Sequence, residues 1–294
     1  MSQTNGIREM ITIETQLSEM VSDISENQKM SLSTVVISLL SVIFLLKTIF
    51  KSKKRAPTAR NIQNQGKSEE IDWSDTIIYT ALFGDYDNFV PPAKNSLKDI
   101  KRFIIFTDQD LKIHCDDKLQ IVKLDLNDIN GKHANRCIKM NPHVFLGPHT
   151  FSIYIDANVW LHSPPSALFH EIPENASAIF FAHPDRGDVL SEILYCLYRR
   201  RISFLEFHSL QKFIKTNDVG SHPLFEANII LRRNSPAAQR QGSLWWQLYQ
   251  EYPYRDQFLL FQSIVKSGLR FGTRDTQNGN SRINRFAVKT GHKR

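Results

Sequence analysis

Apolar positions divide the chain into stretches of different character. In residues 1–29 Met10, Leu17, Met20 or Val21, and Ile24 recur at helical spacing, which predicts a short amphipathic helix or a weak coiled-coil seam able to support a weak oligomer. Residues 30–46 carry no charge and are rich in Val, Ile, Leu and Phe. Lys47 can snorkel, which extends the apolar run to Phe50, the length of one membrane-spanning helix over 30–50. Residues 51–71 are polar and almost free of large apolar groups, the composition of a flexible linker. From 72 to 272 short β-rich runs alternate with helical stretches. Strands are expected over 76–82, 102–107, 120–126, 151–156, 178–182 and 227–232, and helices over 133–145, 189–215, 236–252 and 255–266. Strands separated by helices predict an α/β domain built on a mainly parallel, Rossmann-type sheet flanked by helices. Residues 273–294 form a basic tail, and no internal repeat is visible.

Charge placement adds an orientation. Lys47, Lys51, Lys53, Lys54 and Arg55 follow the apolar run closely, whereas Lys29 alone stands just before it. The positive-inside rule then puts the C-terminal domain in the cytoplasm. The net charge of +7 is concentrated late: residues 270–294 hold seven Lys or Arg against Asp275. Such a tail suits anionic lipid or a diphosphate, and with no nucleic-acid module alongside it no nucleic-acid partner is expected. Cys115, Cys137 and Cys196 lie far apart without a CxxC, which fits reduced thiols and gives no zinc site.

Ligands of open α/β sheets sit beyond the carboxyl ends of the strands, so strand-ending residues carry the candidate chemistry. The first strand includes Tyr79 and Thr80 and runs into Phe83-Gly84-Asp85-Tyr86, a turn suited to a nucleotide through ring stacking and a carboxylate. The fourth ends in Asp156-Ala157-Asn158, two oxygen-bearing side chains that can flank Mg²⁺ or Mn²⁺. The fifth ends in His183-Pro184-Asp185-Arg186, with Glu192 in the helix that follows. His183 is a candidate metal ligand and Arg186 a bidentate partner for phosphate. Arg136 and Lys139, on the helix before the Asp156 strand, can hold a diphosphate or form a solvated face. Trp245-Trp246 precede Arg255-Asp256 at a helix start, where aromatic rings suit sugars and a carboxylate can orient an acceptor hydroxyl, act as base, or simply cap the helix.

Taken together, IIYTALFGDYD, Arg136-x-x-Lys139, YIDAN, FFAHPDR with Glu192, FEANIILRR and SLWWQLYQEYPYRDQ occur in that order over roughly residues 77–269. In this the chain resembles a glycosyltransferase-like family, formerly a domain of unknown function, that includes plant mucilage- and turgor-associated proteins and bacterial ones. The resemblance implies a GT-A-like fold, a nucleoside-diphosphate sugar donor and a divalent metal, Mn²⁺ or Mg²⁺. It places Tyr79, Thr80, Asp85 and Tyr86 at the nucleotide, Asp156 at the metal, His183 and Arg186 on the phosphate side, and Asp256 in an Arg-Asp-Gln motif. Asn158 departs from a full Asp-x-Asp pair. Golgi type II relatives imply an alternative, luminal placement of the domain, against the charge flanks here.

The leading expectation is therefore a membrane-anchored glycosyltransferase moving a sugar from a nucleotide sugar to a glycan or lipid-linked acceptor, with Asp256 and Arg255 as catalytic residues. A metal-dependent lipid amide hydrolase, prompted by a ceramidase label among relatives, lacks an evident three-ligand His/Asp set. A catalytically inactive tethered scaffold of the same fold is the third reading.

Overall fold

The computed structural model describes residues 68–69, 71–84, 89–113, 117–125, 130–167, 169, 172–217, 219, 222–274 and 287–289. The expected amphipathic segment, membrane span, nearly all of the linker and most of the basic tail lie outside them. No helix among the described residues is long and apolar enough to cross a membrane.

In chain order the elements are β1 (Ser68–Glu69), β2 (Thr76–Leu82), β3 (Arg102–Thr107), β4 (Leu119–Lys123), α1 (Gly131–Met140), α2 (Pro142–Phe145), β5 (Phe151–Ile155), β6 (Val159–Leu161), β7 (Ile172–Pro173) and β8 (Ala178–Ala182). They continue with α3 (Val189–Tyr198), α4 (Phe204–Thr216), β9 (Phe225–Arg233), α5 (Pro236–Glu251), α6 (Asp256–Ser267), β10 (Phe271–Arg274) and β11 (Ala287–Lys289). Seven strands form one sheet in the order β4, β3, β2, β5, β9, β8, β10. All neighbours are parallel except β9, which runs against both β5 and β8. The protein is thus α/β with a mostly parallel sheet, as the alternating pattern predicts.

The central strands are buried on both faces, and every residue of β2 is buried. That is why they read as continuous apolar runs with no alternation. One face is covered by the helices, through Ile138, Leu190, Phe207, Trp245 and Phe258 among others. The other is covered by short 3₁₀ turns and loops, through Leu97, Ile100, Phe169 and Ile172.

Two expected helices are each divided. The stretch 133–145 breaks at Asn141, because Pro142 has no N–H to continue α1 and disfavours helical backbone in the residue before it; Asn141 sits at φ −118°, ψ 55°. The stretch 189–215 breaks after Tyr198, where Arg200 adopts φ 53°. Ser203 then caps α4 in a reciprocal box with Glu206. Two pairings fall outside the expected 72–272 domain: β1 joins β7 and β11 joins β6, both antiparallel. Segments of two or three residues carry too little periodicity to announce themselves.

Gly242 lets α5 approach the end of α1. A Cβ there would lie 2.2 Å from the Met140 carbonyl oxygen. Gly242→Ala should therefore cost about 1–3 kcal/mol of stability from overpacking, although alanine is the better helix former by about 1 kcal/mol. Denaturant melts check this, and a stabilised variant would contradict the close approach.

Candidate functional site

From β2 the sheet grows outward to β3 and β4, then the chain returns to place β5 on the other side of β2. The chain changes direction between β2 and β5, and in open α/β sheets the carboxyl ends at such a switch point are where ligands sit. Because β9 is reversed, its amino end shares this edge: Asp156 N donates to Asn228 O at 2.9 Å, and His183 N to Leu224 O at 3.0 Å. The carboxyl ends of β2, β5 and β8 and the start of β9 thus lie along one edge of the sheet.

Asp156 ends β5 with its side chain 28% exposed. Its Oδ1 accepts from the Tyr154 hydroxyl at 3.0 Å and lies 3.9 Å from Lys139 Nζ. Lys139 is 2% exposed, with its ammonium 5.0 Å from the Tyr154 ring centroid and 2.5 Å from Asp256 Oδ2. Arg136 Nε is 3.5 Å from the same Asp256 oxygen. Asp256 opens α6, 5% exposed, and its backbone carbonyl accepts from Trp245 Nε1 at 2.9 Å. A residue at the start of one helix is thereby tied to two cations on α1 and an indole on α5.

Burial alone would raise the Asp256 pKa. The charges of Arg136, then Lys139 and Arg255, outweigh it and hold the carboxyl well below the usual carboxylate range. Burial is also the first cause pushing Lys139 down, opposed by Asp256 and Asp156. Since the folded pKa of Asp256 is depressed, its stabilising contribution is present above the unfolded value of about 3.9 and is lost as pH falls toward the folded one. The stability gap between the wild type and Asp256→Asn should accordingly narrow below about pH 4. Acid-series melts of both proteins check this, and a gap independent of pH would contradict it.

Beyond β8 a second ionic group forms. Glu192, 1% exposed, is bonded by Arg186 Nε and lies 3.7 Å from Arg255 Nη2. Arg255 Nη2 also donates to Gln257 Oε1 at 2.9 Å, and its Nε is buried without a hydrogen-bond partner among the described residues. Two partly exposed guanidinium groups thus share one buried carboxylate, which leaves this group of three with one positive charge in excess. His183 turns into its own loop. Its Nδ1 accepts from Asp185 N and Arg186 N at 3.2 and 3.3 Å, and its Nε2 faces Arg186 Nη2 at 3.1 Å. Burial, then Arg186, lowers the His183 pKa and favours the neutral ring.

The expected site residues therefore separate into groups. Arg136, Lys139, Asp156, Arg186, Arg255 and Asp256 gather at the carboxyl edge. Tyr79 and Thr80 are fully buried inside β2. The Tyr79 hydroxyl donates to Lys139 O at 3.0 Å and accepts from Arg232 at 3.1 Å, so it anchors α1 to the sheet. Asn158 is also fully buried. Asp85 and Tyr86 lie outside the described residues. Of the tryptophan pair, Trp245 is buried, while Trp246 is partly exposed and stacks on Tyr249 with centroids 5.8 Å apart. Glu192 emerges as the hub of two arginines and Tyr154 as a partner of Asp156. Tyr154, two residues before Asp156 on a strand, shares its face by simple alternation, which is the sequence signal for it.

Among the described residues no group of three or more His, Cys, Asp and Glu is arranged to hold a metal ion. Mg²⁺ commonly needs only one or two carboxylates when substrate phosphates supply the remaining ligands. Asp156 fits that demand, with Oδ2 unengaged among the described residues, whereas the His183 ring nitrogens face the backbone and guanidinium of their own loop and Asn158 is fully buried. Compared with known families and curated proteins, the chain matches no family model and no curated protein.

Proposed function

We propose that the protein is a glycosyltransferase that binds a nucleoside-diphosphate sugar at the carboxyl edge of the sheet, beyond β5 and β8. The observation that carries this reading is that a partly exposed carboxylate, Asp156, and the Arg186–Glu192–Arg255 group follow strands that end at the same edge of the sheet. The strand order, with one reversed strand among parallel ones, is compatible with the GT-A-like architecture implied by the resemblance. A diphosphate leaving group needs its charge neutralised as the glycosidic bond breaks, and cations fixed before the reaction do this without reorganisation. Arg186 and Arg255, both paired with Glu192, can donate hydrogen bonds to phosphate oxygens. Mn²⁺ or Mg²⁺, held by Asp156 and the phosphates of the donor, would supply further neutralisation of the leaving group.

Asp256 has a different part in this account. A carboxylate paired with Lys139 and Arg136 and held below its usual range is a weak base. Its role is to fix the two cations behind Asp156, so the acceptor hydroxyl loses its proton to another group or to the departing diphosphate. The acceptor is a glycan or lipid-linked sugar, brought to the protein by the membrane span read from the sequence.

Binding of a nucleoside diphosphate to the full chain, measured with Mn²⁺ and with chelator, tests the metal part. The wild type should lose about ten-fold or more in affinity on chelation, the scale of one charge-assisted contact. Asp156→Ala should bind equally weakly in both conditions and melt close to the wild type. Equal wild-type affinity with and without metal would remove the ion from the account.

A further inference from the structure

The turn joining α3 to α4 has a composition that the nucleotide site does not explain. Tyr198, Arg199, Arg200 and Arg201 follow one another and are all exposed, with Tyr198 48% exposed. Leu205, in the first turn of α4, is 73% exposed. The arginines are not on a loose loop. Arg199 N, Arg200 N and Arg201 N donate to Tyr195 O, Leu197 O and Cys196 O at 2.9, 2.9 and 2.8 Å, and Arg200 takes φ 53°, so the backbone of this turn is fixed. Along α4 the exposed positions Leu205, His208, Lys212 and Lys215 recur at intervals of three and four, hence on one face. The only acid in this stretch, Glu206, is tied to Ser203 in the capping box.

Three exposed arginines between an exposed tyrosine and an exposed leucine in the chain, continued by a lysine-bearing helical face, match the chemistry of a bilayer surface with anionic headgroups. The cations meet phosphates and carboxylates while the apolar side chains enter the headgroup–acyl boundary. Leu205 and Tyr198 add exposed apolar surface to this cationic turn, which a purely polyanionic partner would have no use for. We propose that the α3–α4 turn and the exposed face of α4 are a docking surface for an anionic phospholipid bilayer. This contact is separate from the apolar span read near the amino end, and it does not rest on the transferase reading. The surface also leads into the site: the Tyr195 ring lies under Arg201, 5.6 Å from its guanidinium, and under Arg186, at 4.1 Å. Docking would hold the carboxyl edge close to the membrane plane.

The test compares amide hydrogen exchange of the full chain on vesicles of phosphatidylcholine alone and of phosphatidylcholine mixed with phosphatidylserine. Amides of residues 198–206 should exchange about five-fold or more slowly on the anionic vesicles, the scale of one cation held at a charged surface, with the difference shrinking at high salt. In the double variant Arg199→Gln/Leu205→Gln, both changes on exposed side chains, the slowing should disappear while exchange in α1 and β2 stays as in the wild type. Equal exchange on the two vesicles would overturn the proposal, as would slowing that survives in the variant. Slowing produced by added RNA in place of lipid would assign the surface to nucleic acid and overturn it too.

Discussion

Asp256→Asn should lower the melting temperature by about 6–20 °C. The estimate follows from about 3–5 kcal/mol for breaking a buried ion pair and about 2–4 °C per kcal/mol for a domain of this size. The change keeps the shape of the side chain and its capacity to open α6, so loss of a cap is not the cause. What it removes is the charge opposite Lys139, at 2.5 Å, and Arg136, at 3.5 Å. Lys139 is 2% exposed and has nowhere to rehydrate without moving α1. Replacing both partners, as in Asp256→Asn with Lys139→Met, should recover much of the loss, because a buried ammonium left with only Asp156 at 3.9 Å costs more than an absent pair. Thermal melts of the single and double variants decide this. A single variant as stable as the wild type would show that the cations do not depend on Asp256.

Its neighbour should behave in the opposite way. Arg255→Met is expected to weaken nucleoside-diphosphate binding about ten- to hundred-fold, the scale of about 1.5–3 kcal/mol for a hydrogen bond to a charged group. The melting temperature should move by only a few degrees, because the side chain is 31% exposed and a partly solvated ion pair contributes little to folding. Glu192 would retain Arg186, so the buried carboxylate is not left without a cation. If Arg255 served only as the residue before α6, binding would be unchanged and the whole effect would appear in the melt. The two adjacent positions thus separate stability from binding in a single pair of variants.

The sheet was legible in the sequence because its strands are buried on both faces. Runs such as Thr76–Leu82 and Arg102–Thr107 stand out as uninterrupted apolar segments between polar turns, and three of the expected strands end at the observed residues. The reversal of β9 was not legible: a strand with both faces covered has the same pattern in either direction. The helix breaks did leave signals, Pro142 in one case and Ser203 with Glu206 three residues later in the other. The edge strand Phe271–Arg274 pairs with β8 alone and carries only one fully buried residue, Gly272, so it has almost no apolar signature.

For the site, position along the chain revealed which residues end strands and therefore which share an edge. It could not reveal pairing among them. Arg136 and Lys139 are about 120 residues from Asp256, and nothing in either segment states that the carboxylate is consumed by those cations. The same holds for Tyr79 and Thr80, whose strand positions say nothing of whether a nucleotide or Arg232 meets them. Burial, which follows from tertiary packing, separated residues that reach the carboxyl edge from those that support it.

The central claim is that the carboxyl edge recognises a diphosphate. Calorimetric titration of the full chain with a nucleoside diphosphate and with the matching nucleoside monophosphate, both in Mn²⁺, tests it most directly. The account predicts saturable binding of the diphosphate, about ten-fold or more tighter than the monophosphate, since the second phosphate adds at least one charge-assisted contact. No binding of either nucleotide, or equal affinity for the two, would contradict it.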